Sequence, residues 1–239
     1  MEHNKDEMNT KYQIALDAYT EVMEEEKELI HNPRQTTFTF EDLIDWYAPI
    51  PYESLIFGRA EDKIPVFLDV GDHQHQSMIT VGKKKSGKTN FLKIMAESIV
   101  YSFGSRTFSV ITNRKDEWSA YKGHYNYLFD FGEKGGEDLV LSLASHAHGK
   151  RGFSKTFDFL LIDELEGVEN FELENILNLR WLMMNGAERG TWVISTASTS
   201  IIGKTILNFI PTKIAIVDGV FHIKEDNEIC RFEVPMATG

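Results

Sequence analysis

The sequence predicts an α/β fold with a central, mostly parallel sheet flanked by helices. Three observations carry that reading. Several apolar runs, among them "MITV", "SVIT", "FLLI" and "WVIS", are continuous rather than alternating, as strands covered on both faces are. Segments of helical spacing separate them, the pattern of strand–helix–strand units. One of the runs leads directly into "GKKKSGKT", a glycine-bounded loop followed by an amphipathic stretch.

Composition bounds what such a fold can do. The chain has 239 residues, enough for one substantial core, and its 25 Lys and Arg against 37 Asp and Glu give a net charge of −12. That balance works against general adhesion to nucleic acid or anionic membrane, though it leaves room for a local basic channel. Cys230 is the single cysteine, so neither an internal disulfide nor a zinc cluster is expected, and it reads as a small buried apolar residue. No apolar run approaches the roughly 18 residues that span a bilayer, and "MEHNKDEMNT" lacks the shape of a signal peptide. The expectation is a soluble, cytoplasmic chain, held at a membrane only through other domains or chains.

From Lys11 to Ile30, apolar residues at Tyr12, Ala15, Leu16, Tyr19, Val22, Met23, Leu29 and Ile30 give helical spacing with an acidic outer face. This predicts an N-terminal helix, either solvated on the domain or serving as a linker or partner-binding segment. Pro33 breaks it. Thr39 followed by Asp42 predicts a capped short helix over about Glu41 to Tyr47, ended by Pro49 and Pro51. Residues 1–50 therefore read as a helical linker segment and 51–239 as the domain proper.

Strands are expected at Ile64 to Val70 and Ser77 to Val81, with His73 and His75 in a polar turn between them, read as solvated rather than metal-bound. After the loop, Phe91, Leu92, Ile94, Met95, Ile99, Val100 and Phe103 predict a mostly buried helix that Gly104 stops. "RTFSVIT" reads as a strand, then a short helix and a strand near Tyr127 to Phe131. Gly132, Gly135 and Gly136 punctuate the approach to a helix over about Glu137 to Ala147. "FDFLLIDE" reads as a buried strand, Glu172 to Gly186 as a helix, "TWVISTAS" as another strand and Gly203 to Phe209 as a further helix. "GVFHIKEDNEICRFEVP" reads as a C-terminal β-hairpin turning at Glu225 to Asn227.

GxxxxGK[ST] is matched by Gly82, Lys83, Lys84, Lys85, Ser86, Gly87, Lys88 and Thr89. Glycines let the backbone curl so that N–H groups point inward, and the following helix offers its positive end to an anion. In such a loop Lys88 reaches the β and γ phosphates of ATP, and Thr89 holds Mg²⁺. Lys83, Lys84 and Lys85 read either as solvated charges that raise local anion attraction or as contacts to a neighbouring subunit or substrate.

A carboxylate at the end of a neighbouring strand is the second requirement, and "FLLIDE" supplies two. Asp163 suits the metal and Glu164 the positioning of attacking water, which argues for turnover rather than binding alone. Ser195 and Thr196 end a third strand where a sensor of the γ phosphate would sit. A ring motor also needs an arginine from the next subunit, for which Arg180, Arg189, Arg114 and Arg151 are candidates.

These parts together resemble the FtsK/SpoIIIE branch of the HerA-like ring ATPases, from about Pro51 to Ile210. "PVFLDVGDHQHQSMITVGKKKSGKTNFLKIM" is similar to the family's nucleotide-loop segment and "LLIDEL" to its Walker B. "GAERGTWVISTASTSIIGKTILNFIPTKIAI" is similar to its third-strand region. One departure stands out: members usually read "ATQRPS" where this chain has "STASTS", with Ala197 and Ser198 in place of glutamine and arginine.

The resemblance implies a RecA-like P-loop NTPase that uses ATP and Mg²⁺. It implies a nucleotide site of Gly82 to Thr89 with Asn90, a metal held by Thr89 and Asp163, and catalysis by Lys88, Asp163, Glu164 and Thr196. "NPRQTTFTFEDLI" and the terminal hairpin look most like the last ATPase module of EssC/EccC-type coupling ATPases of type VII secretion. That implies a homo-hexameric ring or one module of a membrane-anchored multi-ATPase protein, with an exported protein as substrate. Duplex DNA, gripped by a translocase or conjugative coupling ATPase, is the alternative.

Overall fold

A computed structural model describes residues 38–71, 77–150, 156–201, 210, 212–217, 219–225 and 228–238. The helix expected over Lys11 to Ile30, His73, His75, Arg151, and the helix expected over Gly203 to Phe209 lie outside these residues. So does Asn227 in the hairpin turn.

Helix α1 spans Phe40–Tyr47, and its start is the predicted capping box. The Thr39 hydroxyl accepts from the Asp42 N–H at 3.2 Å, and the Asp42 carboxylate accepts from the Thr39 N–H at 2.7 Å. Phe38, Phe40 and Leu43 are buried in the main core, so this helix is packed into the body of the domain.

Among the described residues ten strands form one sheet: β1 (Ser54–Ala60), β2 (Pro65–Asp69), β3 (Met78–Gly82), β4 (Phe108–Thr112), β5 (Tyr125–Phe129), β6 (Asp158–Asp163), β7 (Thr191–Ser198), β8 (Thr212–Val217), β9 (Val220–Glu225) and β10 (Glu228–Glu233). Their order is β2-β1-β10-β9-β8-β3-β7-β6-β4-β5. From β8 to β5 every pairing is parallel. From β8 outward to β2 every pairing is antiparallel. The hairpin expected at the C-terminus is β9 and β10, and it carries the sheet on to β1.

Sequence reading missed β1. Its apolar run is only Leu55, Ile56 and Phe57, and Gly58 follows at once. That glycine is there for space: the register with β2 shifts between Ile56 and Gly58, and a Cβ at Gly58 would meet the Phe232 ring and the Glu233 carbonyl of β10.

Helix α2 (Lys88–Phe103) covers one face of the sheet, and α3 (Lys134–Gly149) with α4 (Leu173–Asn185) covers the other. Each face buries a separate apolar cluster, one around Phe91, Met95 and Trp192, the other around Leu160, Ile162 and Val193. Burying such side chains stabilises the fold by about 1.5–3 kcal/mol each, which explains why these strands show no alternation.

Two boundaries differ from expectation. Helix α3 begins at Lys134, so Gly135 and Gly136 lie inside its first turn rather than before it. A side chain at Gly135 would collide with the Phe129 ring, and glycine lets the helix start settle onto β5. Strand β5 ends at Phe129, two positions early, because Asp130 turns the chain by accepting from the Gly132 N–H at 2.9 Å.

Candidate functional site

The site lies at the C-terminal ends of the parallel strands, where β3, β7 and β6 stand side by side. Strand β6 is not the direct neighbour of β3: β7 lies between them, which places Thr196 between the loop after β3 and the acids that end β6.

Gly82 ends β3 and Lys88 opens α2. Gly87 turns the chain between them with a φ of 100°, a conformation that glycine takes without strain. No side chain caps α2 and its first turn holds no acid, so the positive end of the helix faces the loop open. Ser86 Oγ is buried there without a hydrogen-bond partner. The Lys88 side chain folds back over the loop, and its ammonium donates to the carbonyls of Gly82 at 3.0 Å and Lys83 at 2.7 Å. Burial pulls the Lys88 pKa below the ordinary lysine value, against the opposing pull of the Glu164, Glu166 and Asp163 carboxylates.

Asp163 is 1% exposed and is held by hydroxyl groups. Thr89 Oγ1 lies 3.2 Å from each carboxylate oxygen, Thr196 Oγ1 donates to Oδ1 at 2.9 Å, and Thr112 Oγ1 reaches Oδ2 at 3.5 Å. Satisfying a buried carboxylate in this way offsets much of its desolvation cost. Glu164 follows in a left-handed conformation with φ 70°, and its N–H donates to Thr196 Oγ1 at 2.9 Å. Its carboxylate is paired with Arg114.

The predicted residues Lys88, Thr89, Asp163, Glu164 and Thr196 thus converge. Others do not join them. Ser195 points to the opposite side of β7 and donates to the Met78 carbonyl at 3.2 Å. The Asn90 carboxamide is turned to the C-terminal tail, donating to the Pro235 carbonyl at 2.7 Å and accepting from the Ala237 N–H at 3.0 Å, so its side chain is spent away from the loop. Lys83, Lys84 and Lys85 are exposed. Ala197 is fully buried in the apolar cluster that α3 and α4 share, where the family pattern has glutamine. Ser198 is held by its N–H, which donates to Glu166 Oε1 at 2.6 Å.

Two contributors, Thr112 and Glu166, had no signal in the sequence, and a third, Arg114, stands in a different role from the one expected. Thr112 ends β4 beside Asp163, Glu166 fixes the end of β7, and Arg114 bonds Glu164 within the same chain. Arg114 had been one of four candidates for an arginine offered across subunits. Of the others, Arg189 donates to the Lys150 carbonyl at 2.7 Å just before the start of β7, at the opposite end of the strands from the acids.

This chemistry suits a nucleoside triphosphate with a divalent cation. An open helix end, an unpartnered Ser86 hydroxyl and a buried ammonium suit phosphate oxygens. Among the described residues no group of three or more His, Cys, Asp or Glu could hold a metal. Thr89 and Asp163 offer only a hydroxyl and a carboxylate, the sparse set that Mg²⁺ completes with water and phosphate.

No protein-family model matches the sequence, and no curated protein does. Solved structures do match. The chain superposes on the cytoplasmic domain of EssC with a TM-score of 0.67 at 12% identity, covering 91% of this chain and 51% of that one. With Thermomonospora curvata EccC (ATPases 2 and 3), solved in complex with a signal sequence peptide, the TM-score is 0.63 at 14% identity, covering 79% and 41%. With the pCW3 conjugation coupling protein TcpA bound to ATPγS it is 0.62 at 14%, covering 80% and 68%. The chain therefore shares the fold of these EssC, EccC and TcpA structures. The chain spans about half or less of the EssC and EccC chains it resembles.

Proposed function

We propose that this chain binds and hydrolyses ATP as a motor module of the FtsK/SpoIIIE kind, and that it serves protein export as the C-terminal ATPase module of a type VII secretion ATPase. The observation that carries the proposal is the contact of Thr89 with the buried Asp163, which joins the phosphate loop to the acidic strand end. Lys88 and the loop amides hold the triphosphate, and Thr89 and Asp163 hold Mg²⁺, which when bound neutralises charge developing on the phosphates. Glu164 positions the attacking water. Thr196, bonded to both acids' residues, keeps them in register.

Protein export is favoured by the likeness to EssC and EccC and by the net charge of −12. Of residues 1–50, those before Phe38 then act as a linker from a preceding module while α1 packs into the domain, and assembly in a ring or a multi-ATPase protein at the cytoplasmic face of a membrane follows. Among the described residues no helix is long and apolar enough to cross a membrane. The TcpA likeness favours a second reading, a conjugative coupling ATPase or translocase acting on duplex DNA.

Hydrolysis of Mg·ATP tests the first claim: Lys88→Ala is expected to lose binding and turnover, and Glu164→Gln to lose turnover alone, by about a hundredfold or more. Turnover that persists in either variant refutes the site. Comparing rates with and without duplex DNA at fixed salt separates the substrates. Strong stimulation by DNA sinks the export reading, and saturable binding of an exported helical-hairpin protein sinks the DNA one.

A further inference from the structure

Glu164 is the group that must face water beside the phosphates, yet its carboxylate is not free to do so. The Arg114 guanidinium holds it, with Nη2 also 3.9 Å from Asp163 Oδ2. The sheet order gives this pairing a direction. Running β3-β7-β6-β4, it puts the phosphate loop on one side of the β6 acids and Arg114, which follows β4, on the other. Arg114 therefore meets the β6 acids from the β4 side.

Arg114 is well placed to let go. Its backbone is anchored, the N–H donating to Thr112 Oγ1 at 3.0 Å, and the 3-10 turn that follows is fixed by the fully buried Trp118. Only the side chain needs to swing. A second seat already exists: Arg114 Nη1 is 3.5 Å from Glu117 Oε1, and Glu117 is itself within 3.7 Å of Lys93 on α2. The guanidinium and the Glu164 carboxylate are 38% and 42% exposed, so the bond between them is modest and exchangeable.

We propose that Arg114 is a positioning residue acting in cis, a pin whose pairing with the Glu164 carboxylate competes with the positioning of water and so restrains turnover while triphosphate is bound. This rests on the ATPase reading above and deepens it: basal turnover is restrained within each subunit, and Arg114, so engaged, is not the arginine offered to a neighbour. Exchange of the guanidinium between Glu164 and Glu117, which it also touches, frees the Glu164 carboxylate for part of the time.

Steady-state Mg·ATP hydrolysis and binding of a fluorescent ATP analogue test the pin on the full chain. Arg114→Ala is expected to raise kcat about fivefold, the factor an ion pair of this exposure is worth, with KM and analogue affinity within about twofold of wild type. Arg114→Lys keeps a charge that can still pair and is expected to restore most of the restraint. In Arg114→Ala/Glu164→Gln the gain should vanish, since it runs through Glu164. An unchanged or lower kcat, or a raised KM, in Arg114→Ala overturns the pin, as does a gain that survives Glu164→Gln. Wild-type chain that binds no nucleotide overturns the ATPase reading and the pin with it; binding without the gain overturns the pin alone.

Discussion

The Thr196 hydroxyl donates to Asp163 at 2.9 Å and in the same position accepts from the N–H of Glu164, so one buried oxygen couples the metal-suited acid to the residue beside it. Thr196→Val keeps the shape and removes both bonds. It leaves the Glu164 N–H unpaired and Asp163 Oδ1 with Thr89 alone, with an expected loss of about 1–3 kcal/mol in stability. kcat is expected to fall about tenfold or more with KM little changed, and Thr196→Ser to recover most of it. Denaturation midpoints with steady-state kinetics on the three proteins decide this; wild-type kcat in Thr196→Val removes Thr196 from the site.

Lys85 sits in the phosphate loop with φ 65°, the left-handed region where a Cβ is unfavourable. Relief of that strain outweighs the greater chain entropy of glycine, so Lys85→Gly is expected to stabilise the domain by about 0.5–1 kcal/mol. Calorimetry reads it as a rise of about 1–3 °C in Tm. ATP affinity tells the two readings of the triplet apart: a drop that fades with added salt marks Lys85 as a solvated charge that raises local anion attraction, and unchanged affinity leaves the contact to a neighbouring subunit or substrate.

His222 lies on β9, 4% exposed, opposite Arg231 of β10. Burial, with the like charge of Arg231 second, lowers its pKa from 6.5 to about 4. Above the unfolded value both states carry a neutral imidazole, and the group adds nothing to the pH dependence. As pH falls through 6.5 toward 4 the unfolded chain takes up the proton first, so stability is lost. Between pH 7 and pH 5 the loss from this group is about 2 kcal/mol. Urea titrations at the two pH values measure it, and His222→Gln is expected to remove most of that slope.

The loop and its acids were legible because each is written in contiguous residues. A strand, a glycine-bounded loop and an amphipathic helix occupy one stretch from Met78 to Phe103, and four apolar residues lead into Asp163 and Glu164 at the end of another. The capped α1 was legible for the same reason. Pairings made across the fold left no such trace. Arg114 meets a carboxylate far along the chain, and Asn90, which the motif suggested for the nucleotide, is claimed by Pro235 and Ala237. Strand β1 was hidden because its pattern answers to β10, which packs so closely that Gly58 is needed.

The two ends of the described chain run together. The Met236 N–H donates to the Phe38 carbonyl at 2.9 Å, Thr39 and Met236 form a parallel bridge, and Ala237 and Thr238 are tied to Asn90 and Glu97 of α2. Because the paired segments point the same way, tension between the residues before Phe38 and those after Thr238 loads these bonds in shear, together, rather than peeling them one by one. The tail's nearest anchor, Asn90, is two positions from Lys88. Mechanical load on the chain thus arrives at the first turn of α2, beside the phosphate loop, before it reaches the sheet.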